Sequence, residues 1–265
     1  MKGKIYLQLA VIIALFFAIW LGLAQIPFVE TFKIDQMDEE LEEKLGELVW
    51  ESIQDKDEEI LDSLVVTSIE DILKKITDSN NIDYDQIKLH ILDNEDVNAF
   101  ALPDDHIVVL KGLIQLADSP EEVAGVIAHE LVHLEENHVM KKLVKEVGLS
   151  ILLSAATGNA NIGVVVEIAR TLSSSIYDQQ LETEADLKGV DYLIEANIDP
   201  RPMADCMYKM ALEYEHIPDA FFWFSSHPDS KERAKAIINH IGDSELNNEV
   251  LMDSTQWRDI KEFME

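Results

Sequence analysis

Two histidines four residues apart, with an acid directly after the first, stand inside an otherwise apolar run: "VIAHELVHLEENH" covers residues 126 to 138. On a helix, positions i and i+4 lie on one face a turn apart. His129 and His133 can therefore offer two nitrogens to one zinc ion at about 2.0–2.1 Å. Glu130 projects from beside the pair, poorly placed as a third ligand and well placed to hold a water at such an ion. That is the HExxH logic of zinc peptidases. Val126, Ile127, Ala128, Leu131, Val132 and Leu134 surround these groups with apolar side chains. Burying two imidazoles and a carboxylate without partners is costly, and a metal removes that cost.

A third ligand must come from elsewhere. His138 is nine residues beyond His129, which on an unbroken helix of about 3.6 residues per turn is half a turn out of phase. Zincins with a further downstream histidine first break the helix with glycine, as in HExxHxxGxxH. Here Glu136 and Val139 occupy the matching positions, so His138 is expected at the surface. "LETEADLKG" supplies Glu182 and Asp186, four residues apart on one helical face. One carboxylate can bind zinc while the other accepts the distal N–H of a ligand histidine. Two His and one Glu with an open fourth position is a catalytic zinc arrangement rather than a structural one.

The elements that must position these groups are mostly helical. Apolar residues at three- and four-residue spacing predict helices over 35–53, 57–79, 175–197, 201–216 and 254–264. "LADSPEEVAG" starts the central helix, with Ser119 as N-cap, Pro120 first in the helix and Glu122 completing a capping box. Nothing is expected to break that helix before Gly148. "GLSILLSAATGNANIGVVVEIA" (148–169) reads as two packed helices joined by a loop at 157–161. Between 86 and 110 the period changes to two. "QIKLHIL", "VNAFALP" and "HIVVL" predict three short strands, antiparallel because their connections are too short for crossovers. His90 and His106, in or beside these strands, are expected to be exposed.

Bulk composition bounds the partners. With 47% apolar residues the chain can bury a core, and a net charge of -31 (52 acids, 21 bases) excludes a nucleic-acid partner, which needs a basic face. The lone Cys206 rules out an internal disulfide or a cysteine metal cluster, and its apolar helical context predicts an inert buried thiol. "MKGKIYLQLAVIIALFFAIWLGLAQIPF" carries about twenty apolar residues, enough for one bilayer crossing. An uncleaved anchor is favoured over a signal peptide cut after Gly22-Leu23-Ala24, because the run exceeds an h-region of about 7–15 residues. Lys2 and Lys4 flank it on the cytoplasmic side, placing the rest of the chain on the non-cytoplasmic side.

"VNAFALPDDHIVVLKGLIQLADSPEEVAGVIAHELVHLEENH", then "YDQQLETEAD", then "SSHPDSKER" resembles the zinc metalloendopeptidase family of the CAAX prenyl protease, HtpX and BepA type. The resemblance spans about residues 80 to 240. It implies an α+β, mainly helical zincin-like domain with a small antiparallel sheet beside the HExxH helix. It implies one Zn2+ held by His129, His133 and Glu182, with Glu130 as base and Asp186 behind the ligands. It further implies that Asn98, Ala99, Phe100 and Ala101 form an edge strand on which a substrate peptide pairs. His227 matches a family histidine near the metal, either stabilising the oxyanion or occupying the open position as a switch. Two departures stand out. Asp104 and Asp105 replace the Gly-Gly usual after the strand's proline, and Asp178 and Gln179 replace Ser-Arg before the ligand Glu.

The resulting expectation is a single-pass membrane protein acting on unfolded or envelope proteins. It would comprise an anchor or signal sequence (1–26), a helical segment (27–80), the metallopeptidase domain (81–242) and a helical tail (243–265). The competing readings are a latent, non-catalytic holdase that keeps the zinc fold, and a structural-zinc scaffold.

Overall fold

The computed structural model describes residues 39–174, 177–213, 230–242 and 249–265, with Tyr6 and Ile13. The helices are α1 (Glu39–Gln54), α2 (Ser63–Asn80), α3 (Lys111–Leu116), α4 (Pro120–Glu135), α5 (His138–Glu146) and α6 (Leu149–Ala156), then α7 (Ile162–Ser174), α8 (Gln179–Glu195), α9 (Arg201–Glu213), α10 (Ser230–Ile241) and α11 (Ser254–Met264). Three strands lie between α2 and α3: β1 (Lys88–Leu92), β2 (Ala99–Leu102) and β3 (His106–Leu110). Residues 38–265 form one compact unit, distinct from 1–37. The expected anchor falls outside the described residues, apart from Tyr6 and Ile13. Among the described residues no helix is long and apolar enough to cross a membrane.

Local chemistry explains the helix bounds. Asp62 caps α2, its carboxylate accepting from the backbone N–H of Leu64 (3.0 Å) and Val65 (3.2 Å), and Asn81 ends it in the left-handed region. The expected start at 57 is too early because residues 58–60 are extended and pair with the outer edge of β1, Ile60 N–H donating to Ile91 O at 2.7 Å. Val65, Ile69, Ile72, Leu73 and Ile76 form the buried stripe of α2, each contributing about 1.5–3 kcal/mol by burial.

The central helix is buried on every side from Glu122 to His133, which makes it the core element against which the others pack. Gly125 is required here: a Cβ on it would lie 2.5 Å from the Met203 side chain, so α9 can cross only at glycine. Its start differs in detail from the capping box. The Ser119 side chain makes no cap bond, and Glu122 accepts instead from the Asp118 N–H at 3.1 Å.

Two expectations are corrected. The sheet is mixed, in the order β1-β3-β2: β2 and β3 form an antiparallel hairpin, while β1 lies parallel to β3. The chain from β1 to β3 is long enough to be parallel because β2 is itself the connection, passing to the far side of β3. The central helix also does not run on to Gly148. It stops at Glu135, Asn137 turns into the left-handed region (φ 55°), and α5 starts at His138 in a new direction.

Both sheet faces are covered, which removes the distinction on which strand exposure was judged. Ile91, Ala99, Ile107 and Val109 join the core that contains α4, and α1 covers the opposite face. His106 is buried and His90 half-buried, contrary to the exposed positions expected. Cys206 is fully buried, and burial pushes its thiol pKa up, as its helical context predicts.

Candidate metal centre

Three side chains converge between α4 and α8. His129 Nε2 and His133 Nε2 lie 3.1 Å apart, and Glu182 Oε2 and Oε1 lie 3.7 and 3.5 Å from them respectively. All three residues are buried, and one donor atom from each falls within 4.8 Å of the others. Close helix contact makes this possible. Gly189 lies one turn beyond Asp186, and a Cβ there would stand 3.3 Å from the His129 backbone nitrogen.

The outer nitrogens are also engaged. Asp186 Oδ1 lies 3.1 Å from His129 Nδ1, and His138 Nδ1 lies 3.0 Å from His133 Nδ1. A carboxylate on Nδ1 selects the tautomer whose Nε2 lone pair points inward. Two imidazole nitrogens and a carboxylate oxygen facing one another are the donor types that hold zinc in catalytic sites. The donor set therefore fits a divalent metal.

His138 was expected at the surface and is instead fully buried. The out-of-phase argument assumed one continuous helix. The left-handed Asn137 resets the phase and brings the imidazole back under His133. Burial, then the neighbouring His133, holds the His138 pKa down at about 3.

Glu130 is also fully buried. Its Oε2 accepts from the Ala101 N–H at 3.0 Å, so the acid touches the outer strand of the sheet. Burial, reinforced by Glu182, raises its pKa well above the usual carboxylate range. Ala99, Phe100 and Ala101 of this strand and Asn98 just before it are all buried, and Asn98 Nδ2 donates to Ser173 O of α7 at 3.2 Å. The outer edge of β2 carries no further strand among the described residues.

Sequence reasoning missed three participants. Arg233, from "SSHPDSKER", enters from α10: its Nε and Nη2 donate to Asp186 Oδ2 and Oδ1, both at 2.7 Å, and Nη1 lies 2.6 Å from Glu182 Oε2. Burial alone would raise the Asp186 pKa, but the guanidinium overrides it and the carboxyl is held low. The Tyr177 ring stacks on His133 at a centroid distance of 4.0 Å. The buried Lys142 ammonium lies 3.8 Å from the Tyr177 ring centroid and donates to Leu172 O at 3.3 Å. Burial lowers its pKa to about 8, against the pull of Glu182 and Glu130. Lys142 follows His138 by four residues, so the same helix break would have exposed both. His227 lies outside the described residues.

The two departures from the family pattern have visible consequences. Asp104 and Asp105 both adopt left-handed backbone (φ 63° and 56°), the conformation that glycine takes without penalty. Asp178 caps α8 by position only and pairs with Lys145 at 2.7 Å on the surface.

The chain is 24% identical over 189 residues to the mitochondrial metalloendopeptidase OMA1 of Schizosaccharomyces pombe, covering 67% of this chain and 53% of that protein. It is 30% identical over 164 residues to the metalloprotease LoiP of Escherichia coli, covering 60% and 64%. A beta-barrel assembly-enhancing protease of Yersinia pestis is 25% identical over 200 residues, covering 68% and 41%. These matches thus span less than two thirds of each relative's own length. Residues 64–241 match peptidase family M48, and the chain belongs to that family.

Proposed function

We propose that the protein is a zinc-dependent metalloendopeptidase that hydrolyses peptide bonds of unfolded or envelope proteins. The observation that carries this reading is the convergence of His129, His133 and Glu182 in a buried site with Glu130 beside them. His129 Nε2, His133 Nε2 and a Glu182 oxygen would hold one Zn2+. Such an ion, when bound, polarises a scissile carbonyl and lowers the pKa of water toward about 7.

The chain's own residues do the rest. Glu130 takes a proton at its carboxylate from the attacking water and delivers it to the leaving amine nitrogen. Asp186 and His138 orient the ligand imidazoles, and Arg233 stabilises the two carboxylates of α8. A substrate peptide pairs with the Asn98–Ala101 strand, beside the acid that Ala101 holds. His227 is assigned a place near the metal by family resemblance, as oxyanion donor or switch. Residues 1–26 anchor the protein, with the catalytic part (81–242) outside the cytoplasm.

Metal analysis of the purified full chain, paired with casein cleavage before and after chelation, tests the reading. One zinc per chain, activity lost on chelation and restored by zinc, is expected. A zinc-replete protein inert toward every unfolded substrate would replace the endopeptidase with a holdase.

A further inference from the structure

A second histidine pair lies on the face of the sheet turned away from α4. His90 Nε2 is 2.9 Å from His106 Nδ1. Carboxylates stand at both ends, Glu59 Oε1 at 2.8 Å from His90 Nδ1 and Asp104 Oδ2 at 3.7 Å from His106 Nε2. Trp50 of α1 closes the group from above, its ring stacked on His90 with centroids 3.6 Å apart and 5.8 Å from His106.

The hydrogen bonds fix the protons. With Glu59 ionised, His90 carries its hydrogen on Nδ1 and accepts at Nε2 from the Nδ1–H of His106. His106 Nε2 then points a lone pair toward Asp104. A first proton fits there, between His106 and Asp104. A second would place an N–H of His90 against the N–H of His106 and break the pair. The charged groups facing the pair are Glu59 before α2, Lys88 on β1 and Asp104 in the turn, which Lys88 also holds. Asp105 and, from α1, Glu42 stand beside the same turn.

This group is wired to the candidate active site through the backbone. Asp104 is the middle residue of the turn Pro103–Asp105 that joins β2 to β3. His106 pairs with Leu102, and the next residue back, Ala101, donates to Glu130. Both Asp104 and Asp105 hold left-handed backbone, so the turn needs outside support to keep its shape.

We propose that His90 and His106 are positioning residues for the outer strand: their hydrogen-bonded pair fixes the Pro103–Asp105 turn and with it the Ala101–Glu130 contact, and the second proton taken up by the pair releases both. Burial, the neighbouring imidazole and Lys88 hold His106 down at about 4, and burial outweighs Glu59 to keep His90 below its ordinary value. The neutral state therefore persists well below neutral pH and fails in acid. The consequence for cleavage rests on the endopeptidase reading; the release of the strand does not.

The test uses the full chain and two readouts. Trp50 fluorescence reports the charge on the stacked His90, with Trp50→Phe subtracting the other tryptophans. Amide exchange reports the β2 segment. Wild type is expected to show a fluorescence step in acid, with exchange in β2 about tenfold faster below it. His106→Gln, whose amide takes no proton and can turn its oxygen to a protonated His90, is expected to abolish the acid acceleration of β2 exchange, and Glu59→Gln, which removes the anion beside His90, should move the fluorescence step and the exchange to lower pH without touching either histidine. For casein, KM rather than kcat is expected to rise through the same pH range in wild type. β2 exchange that still accelerates in acid in His106→Gln, a step unmoved in Glu59→Gln, or β2 exchange that ignores the step in wild type, overturns the proposal. If step and exchange behave as expected while casein is never cleaved, the positioning role stands and only the endopeptidase reading falls.

Discussion

His138 Nδ1 lies 3.0 Å from His133 Nδ1, in a position fully shielded from solvent. A ligand imidazole whose outer nitrogen is held in this way keeps its ring orientation without a metal to impose it. Partners of this kind typically contribute about 10–100-fold to metal affinity. His138→Ala is therefore expected to weaken zinc binding by that factor in a competition titration against a chelator. Wild-type affinity in the variant would reduce His138 to a space-filling role.

Arg233 stabilises two buried carboxylates at once, Asp186 and Glu182. Removing one partner of a buried ion pair costs about 3–5 kcal/mol, because the remaining charge is left without compensation. Arg233→Met, which keeps most of the volume, is expected to lose that much stability in urea denaturation of the metal-free protein. A loss near zero would mean that the carboxylates find other partners.

Asp105 holds a left-handed backbone (φ 56°), and burial and Asp104 both raise its carboxyl pKa, so backbone and charge are unfavourable together. Asp105→Gly should stabilise the fold by about 1 kcal/mol. Chemical denaturation near neutral pH measures it. Asp104→Gly is expected to gain less, since it also loses the contact with Lys88.

His106 gives the fold a definite pH dependence. Its folded pKa of about 4 lies below the ordinary value of 6.5, so in that window the unfolded chain binds more protons than the folded one. Its contribution is complete above 6.5 and is lost as pH falls toward about 4. The difference in unfolding free energy between wild type and His106→Gln, followed through this range, should slope accordingly. A flat difference would show that His106 is not held neutral.

How much of this was legible depended on whether a feature is local. Ser119-Pro120, the strand at 106–110 and the four-residue spacings of His129/His133 and Glu182/Asp186 express backbone geometry directly, and these elements sit where the sequence places them. The parallel β1–β3 pairing did not show, because strand order depends on where β2 is sent and not on loop length alone. His138 and Lys142 were hidden by a single left-handed Asn137, which changes the phase of everything after it. Arg233 and Tyr177 reach the site only through the packing of α8 and α10, which no spacing in the chain encodes.

The central claim is that Glu130, fixed at Ala101 beside the convergent His129, His133 and Glu182, moves the proton in peptide hydrolysis. The most direct measurement is casein cleavage by full-length Glu130→Gln against wild type, at equal zinc content. Removing the group that handles the proton should cost at least about 10²–10⁴-fold in kcat while leaving zinc bound. Cleavage by Glu130→Gln at the wild-type rate would contradict the account.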